Sequence, residues 1–337
     1  QTLGDKNEES TNVRLAIVIG TVRSQDMIPE RIGHLDLSCA YGVAAGEGYA
    51  YVARKTKGVF AIDASDPAEP VRVANMSDPN MDARRLFLDG GRLYVAGFTG
   101  GLYIYDVSDP KNPKLLGKYS DSLKLNNLFV SGEIAYLAGG YSTDGGLVIL
   151  DVSNPSKPSL RGIYRNKAQK DGGYQSVWVT GTTVYAGTNA GEFHIIDASK
   201  PSSPVLLGKY FNSGTPGHQP WLWGIKVHGN KAYLADWGAG LIILDVSDPK
   251  NPTELGVFTG GTDGPNEYGV VVEEGIAYIA NGWGALTVAD VSNPGNISFV
   301  SEFNPPATTY LDIAKLGELI FCANGGSPQG LDIIRIK

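Results

Sequence analysis

Short runs of apolar and β-branched residues alternate with clusters of Gly, Asn, Asp, Ser and Pro along the whole chain, and no stretch keeps a helical period. Residues 84–119 show the unit. Leu86–Leu88 run into Gly90-Gly91, and Leu93–Ala96 end at a second glycine-rich turn. Leu102–Val107 stop at Ser108-Asp109-Pro110, and Leu115–Tyr119 follow. Gly supplies backbone conformations closed to other residues, while Asp and Pro set tight turns. The pattern predicts four short antiparallel strands per unit.

The unit repeats. GLYIYDVSDPKNPKLLGKY at 101–119 recurs as GLVILDVSNPSKPSLRGIY at 146–164, GLIILDVSDPKNPTELGVF at 240–258 and ALTVADVSNPGNISFVSEF at 285–303. Weaker copies lie at 58–76 and 192–210. The marker aspartates are Asp63, Asp106, Asp151, Asp197, Asp245 and Asp290, spaced by 43, 45, 46, 48 and 45 residues. A seventh copy, GLDIIRIK at 330–337, is cut short, with Arg335 at the aspartate position. Four strands every ~45 residues is the length of a propeller blade. The fold predicted is therefore all-β: a seven-bladed β-propeller with four antiparallel strands per blade. The fourth strand missing from the last copy must come from the N-terminus, and the apolar stretch Leu15–Val22 is the expected donor. Such closure hides two strand edges that would otherwise template aggregation. Residues 1–13 are polar and read as a flexible tail; residues 14–337 read as one propeller domain.

The GLxIxDVSDPxxP phrase resembles the LVIVD repeat of bacterial and archaeal extracytoplasmic and cell-surface proteins, over nearly the whole chain from Arg14. The resemblance implies a propeller and an exported or surface location, secreted, periplasmic or cell-surface. It implies no shared reaction, because propellers host unrelated functions.

Composition narrows the partners. The net charge of −7 lacks the clustered basic face of a nucleic-acid binder. No apolar run is long enough to span a bilayer as a helix. The two cysteines, Cys39 and Cys322, permit one disulfide across neighbouring blades, or two buried thiols. Six DVSDP-like motifs invite a calcium reading, but they lack the ligand density of a calcium loop. A residue repeated around a ring also cannot build one site. These aspartates are expected to cap turns.

Function is expected where the repeats diverge and converge on the axis. Counting ten residues back from the second-strand tyrosines (Tyr51, Tyr94, Tyr136, Tyr185, Tyr233, Tyr278, with Phe321) gives Tyr41, Arg84, Asn126, Gln175, Trp223, Tyr268 and Leu311. One residue on stand Gly42, Arg85, Asn127, Ser176, Gly224, Gly269 and Asp312. Large aromatic and polar groups are odd openings for packed strands, and a channel mouth explains them. Long irregular loops and the hairpin residues Phe98, Tyr141, Trp237 and Trp283 reach the same end. Trp221, Trp223, Trp237, Trp283 and Tyr268 form an expected stacking wall for sugar rings or cationic groups. Arg84 and Arg85 are the expected anchors for a carboxylate or phosphate. His34 and His218 lie in loops entering the ring. A site joining them to Asp36, Glu267 or Asp312 can be written, but no ligand spacing supports a metal, and no motif calls for a cofactor.

The reading is an extracytoplasmic binding propeller for a glycan or anionic small molecule, held by Tyr41, Arg84, Arg85, Asn126, Gln175, His218, Trp223, Trp237, Tyr268 and Trp283. An enzyme, a lyase or hydrolase of acidic sugars, would use Tyr41, Tyr268 or His218 as acid or base. A purely structural surface domain that contacts neighbouring proteins is the third reading.

Overall fold

The structure, a computed structural model, describes residues 27–120, 124–140, 145–165, 173–212, 220–261, 266–282, 284 and 286–337. They form seven four-stranded antiparallel sheets whose innermost strands pack side by side around one axis. From axis to rim, blade one runs Gly42–Gly46, Tyr49–Ala53, Val59–Asp63 and Val71–Met76. The innermost strands of blades two to seven are Ala83–Asp89, Lys124–Ser131, Tyr174–Thr180, Leu222–His228, Glu267–Glu273 and Tyr310–Leu316. Among the described residues no helix is long and apolar enough to cross a membrane.

The core lies between blades. Tyr51, Ala53 and Val59 of blade one pack against Leu93, Val95 and Tyr103 of blade two. Val43, Val52 and Phe60 pack on the other side against Phe321, Leu331 and Ile333 of blade seven, which joins the ends of the ring. Each such aliphatic side chain contributes roughly 1.5–3 kcal/mol on burial. The second and third strands are buried on both faces, which explains their continuous apolar runs.

The repeat motif proves structural. Asp106 Oδ1 accepts the Ser108 backbone N–H at 2.9 Å and its hydroxyl at 2.6 Å. Asp63, Asp151 and Asp290 do the same with Ser65, Ser153 and Ser292. Asp197 and Asp245 accept the backbone N–H of Ser199 and Ser247. The serine hydrogen bonds hold the Asp106 carboxyl below its ordinary value, and that of Asp151 at about 2 with help from Arg161. The repeat glycine of the outer strand has a steric cause. A Cβ on Gly117, Gly162, Gly208 or Gly256 would stand 1.9–2.4 Å from the carbonyl oxygen of Pro155, Pro201, Pro249 or Pro294 in the next blade.

An N-terminal strand closes the ring, but it is Pro29–Asp36 and not Leu15–Val22. It pairs antiparallel with Gly330–Ile336, from Pro29 opposite Ile336 to Asp36 opposite Gly330. This occupies the edge assigned to Leu15–Val22, a segment that lies outside the described residues, as does the expected tail 1–13. Pro29–Asp36 matches the outer strands of blades two to five more fully. Pro29 and Gly33 reproduce the spacing of Pro113 and Gly117, and a Cβ on Gly33 would stand 1.9 Å from the Pro67 carbonyl oxygen. Leu15–Val22 has Gly20 but Ala16 where the proline belongs.

A buried carboxylate fastens this strand. Asp332 takes the third-strand position held by Tyr103 and Val148 in blades two and three. It accepts from His34 Nδ1 at 2.6 Å, Tyr310 OH at 2.9 Å, Asn324 Nδ2 at 3.2 Å and Arg31 Nη1 at 3.3 Å. Cys39 and Cys322 are free thiols, so the disulfide is not formed. Cys322 is fully buried, which pushes its thiol well above the ordinary value.

Candidate functional site

The divergent ring is a ring of β-bulges. In blades two to seven the register of the inner strand skips one residue at its mouth end: Ala83 to Arg85, Leu125 to Asn127, Tyr174 to Ser176, Leu222 to Gly224, Glu267 to Gly269 and Tyr310 to Asp312. The residues passed over are Arg84, Asn126, Gln175, Trp223, Tyr268 and Leu311. A bulge leaves its extra residue out of the ladder and re-aims the side chain. In blade one, Tyr41 stands just before the strand, its backbone N–H on the Ala53 carbonyl at 2.9 Å.

Part of the divergence is spent on joining blades. Asn126 donates to the Tyr174 carbonyl at 3.1 Å, and Ser176 to the Leu222 carbonyl at 2.7 Å. Asp312 accepts the Val43 backbone N–H at 3.0 Å. The Arg85 guanidinium reaches the carbonyls of Tyr41 at 3.1 Å and Leu311 at 3.2 Å, with Asp312 at 3.9 Å. Arg85 and Asn126 are thus buried struts between neighbouring blades, with part of their hydrogen-bonding capacity spent on the carbonyls of other blades.

The aromatic wall is assembled. Trp221 lies 5.6 Å from Trp223 and 5.7 Å from Trp237, and Trp223 lies 5.1 Å from Tyr268, ring centre to ring centre. Burial pushes the Tyr268 phenol up, so at neutral pH it is a hydrogen-bond donor rather than a base. Trp283 and His218 lie outside the described residues.

Below the mouth the channel has a floor that the sequence reading missed. Phe87, Phe129 and Trp178 contact one another at 4.9 and 4.6 Å, and Lys226 Nζ sits 4.1 Å from the Trp178 ring. Each stands opposite its blade's second-strand tyrosine, the alignment landmark already in hand. A cavity of about 160 Å³ separates floor from mouth, lined by Arg85, Asn127, Trp223, Tyr268 and Asp312. Ligand pockets usually enclose about 300–1,000 Å³, so this cavity is smaller than a usual ligand pocket.

The opposite sector is cationic. The Arg84 guanidinium lies 3.9 Å from the Phe98 ring centre and 5.1 Å from that of Tyr41. Lys55 Nζ stands 5.0 Å from the Tyr41 ring and Lys124 Nζ 5.2 Å from the Phe98 ring. Arg84 stands 3.6 Å from the carboxylate of Asp82.

Unmet hydrogen-bonding capacity collects at this end. Among the described residues, Arg84 Nε, Asp82 Oδ1, both amide atoms of Gln175, Trp223 Nε1, Glu267 Oε2 and Thr287 Oγ1 are buried without a hydrogen-bond partner in the protein. Glu267 fills a position that blades two, three and five give to Ala83, Leu125 and Leu222. Burial pushes its carboxyl well above the ordinary range, and the nearby Asp236 adds to the shift. Asp236 is itself raised by burial, and its Oδ1 caps a turn by accepting the Gly238 N–H at 2.7 Å.

His34 stands at the rim and not at the mouth, and its expected companion His218 lies outside the described residues. His34 lies in the outermost strand of blade seven, between Asp332 and Asp36, because that strand and not an entry loop carries it. Among the described residues no three His, Cys, Asp or Glu side chains group to hold a metal ion.

The LVIVD-repeat family profile matches residues 39–78, 81–121, 124–166, 171–212, 222–259 and 268–304. A search of curated proteins finds no match to this chain. Among solved structures, the computationally designed Ika8 protein aligns with a TM-score of 0.64 at 10% identity, over 91% of this chain and all of that one. At that identity the likeness is one of fold.

Proposed function

We propose that this chain, which belongs to the LVIVD-repeat family, is a binding propeller that holds a small ring-bearing molecule or glycan across the mouth of its channel. The fold and its repeats suit a binding or interaction scaffold. One observation carries the finer reading: buried polar atoms without partners gather at the mouth, whereas the repeated aspartates of the opposite end are met by their own turns. An unmet buried polar group costs about 1–3 kcal/mol. A ligand that supplies acceptors to Arg84 and Trp223 removes that cost at those groups, and the Trp221–Trp223–Trp237–Tyr268 wall offers its rings a stacking surface.

The test is a thermal-shift screen of uronic acids and neutral oligosaccharides against the full chain. A ligand at a hundredfold excess over Kd stabilises the native state by about 2.7 kcal/mol. Trp223→Ala should abolish the shift while leaving the unliganded melting temperature nearly unchanged. A variant that loses stability yet still binds would make the mouth a plug of the propeller. For location we propose an extracytoplasmic setting, on the likeness of the repeats; fractionation of source cells that recovers the chain in the cytoplasm would contradict it.

A further inference from the structure

We propose that the sector of the mouth built by blades one to three is a subsite for a doubly charged tetrahedral oxyanion, a phosphate monoester group on the ligand, held by Arg84, Lys55 and Lys124. The proposal rests on the mouth being the ligand site. It names what that ligand carries at the end away from the tryptophan wall.

The geometry leaves Arg84 half used. Its flat face is occupied by Phe98 at 3.9 Å, with the Tyr41 ring at 5.1 Å. Stacking consumes the face of a guanidinium but leaves its N–H edge, which is the part that grips an oxyanion in two parallel hydrogen bonds. The edge is unmet here: Nε is buried without a partner, and Asp82 at 3.6 Å is beyond hydrogen-bond length. Arg85 is the more committed of the two, because the carbonyls of Tyr41 and Leu311 each take one of its N–H groups and Asp312 stands 3.9 Å away.

Two lysines flank the same rings. Lys55 Nζ lies over Tyr41 and Lys124 Nζ over Phe98. Lys55 is held in place by its backbone. It exchanges two hydrogen bonds with Ala83, the neighbour of Arg84, both at 3.0 Å, which ties blade one to blade two at this point. It does so at φ +53°, a left-handed conformation that a side-chain-bearing residue adopts at a cost. Strain of this kind is retained where position matters. Among the described residues, three cations stand against the carboxylate of Asp82, which leaves two positive charges and suits a dianion better than a carboxylate. This sector is positive on a chain whose net charge is −7, so attraction is local and steeply salt-dependent.

The experiment is calorimetric titration of the full chain with inorganic phosphate, inorganic sulfate and acetate, at low salt and again near physiological ionic strength. Phosphate or sulfate should bind in the millimolar range and weaken with salt, and acetate should bind at least tenfold more weakly. Arg84→Gln should cost tenfold or more. Lys55→Gln and Lys124→Gln should each cost severalfold, with melting temperatures unchanged. Lys118→Gln, on the outermost strand of blade two with its ammonium paired to Asp78 at 3.4 Å, should bind as the parent does. Absence of phosphate and sulfate binding, equal affinity for acetate, or an Arg84→Gln variant that binds normally would each overturn the subsite. If that happens while a Trp223-dependent ligand still emerges from the thermal-shift screen, the mouth stands and only the oxyanion assignment falls. If phosphate binds through Arg84 but no ring-bearing ligand is found, the subsite stands and the stacking reading falls.

Discussion

Asp332→Asn isolates the contact that closes the ring. The carboxylate is fully buried and accepts four hydrogen bonds, two of them from the closing strand through His34 and Arg31. The amide keeps the shape but loses the charge, and it turns an NH2 toward groups that donate. Breaking one partner of a buried ion pair costs about 3–5 kcal/mol. Arg31 and His34 keep 37% and 20% of their side-chain surface and regain some hydration, so the lower end, about 3 kcal/mol, applies. At about 1.4 °C per kcal/mol for a chain of this size, this is a fall of about 4 °C in melting temperature. The pH dependence supplies a second signature. Burial raises the Asp332 carboxyl, but hydrogen bonds from His34 and Tyr310 and the charges of His34 and Arg31 outweigh it, so the folded value lies below the ordinary one. Its contribution is present above pH 3.8 and is lost as pH falls through the folded value. The His34 value is raised, chiefly by the hydrogen bond to Asp332. That contribution is complete below pH 6.5 and is lost as pH rises through the folded value. Urea unfolding followed by circular dichroism between pH 3 and 9 should therefore show the largest deficit of the variant between pH 3.8 and 6.5. A deficit under about 1 kcal/mol in that window would refute the reasoning.

Other expectations follow from single contacts. A chain that starts at Met27 should melt cooperatively, whereas one that starts at Leu37 should expose the edge of Gly330–Ile336 and aggregate, as light scattering would show. Gly208→Val should lower stability by several kcal/mol in urea titrations, because a Cβ there would stand 2.4 Å from the Pro249 carbonyl oxygen. Glu267→Gln should be neutral near pH 4.5 and increasingly stabilising above it, since a carboxyl raised by burial binds a proton in the folded state that the unfolded chain has released. A difference that stays flat from pH 5 to 8 would mean that Glu267 is not held protonated.

Blade number and strand order were legible because each blade must bury the same faces, so the repeat recurs in kind. The closing strand was legible through Pro29 and Gly33, which obey the inter-blade contact, but the stronger apolar run Leu15–Val22 drew attention from them. The mouth was partly legible. Counting from the second-strand tyrosines located Arg84, Gln175, Trp223 and Tyr268 at one level, because every bulge sits at the same register. The same count could not tell an anchor from a strut. Arg84 and Arg85 are adjacent in sequence, yet one stacks with an unmet edge and the other bridges two carbonyls. Lys55 and Lys124 were passed over because lysines at strand ends are ordinary surface residues until rings from other segments are placed beneath them.

The central claim, that the mouth binds the ligand, is tested most directly by nitrogen–proton NMR spectra of the full chain during titration with the uronic acid or oligosaccharide that gives the largest thermal shift. The indole signals of Trp221, Trp223 and Trp237 should move together in a saturable way. The backbone amides of Ser65, Ser108, Ser153, Ser247 and Ser292, in the turns at the other end, should stay still. Movement confined to those turn amides, with the three indoles unchanged, would contradict it.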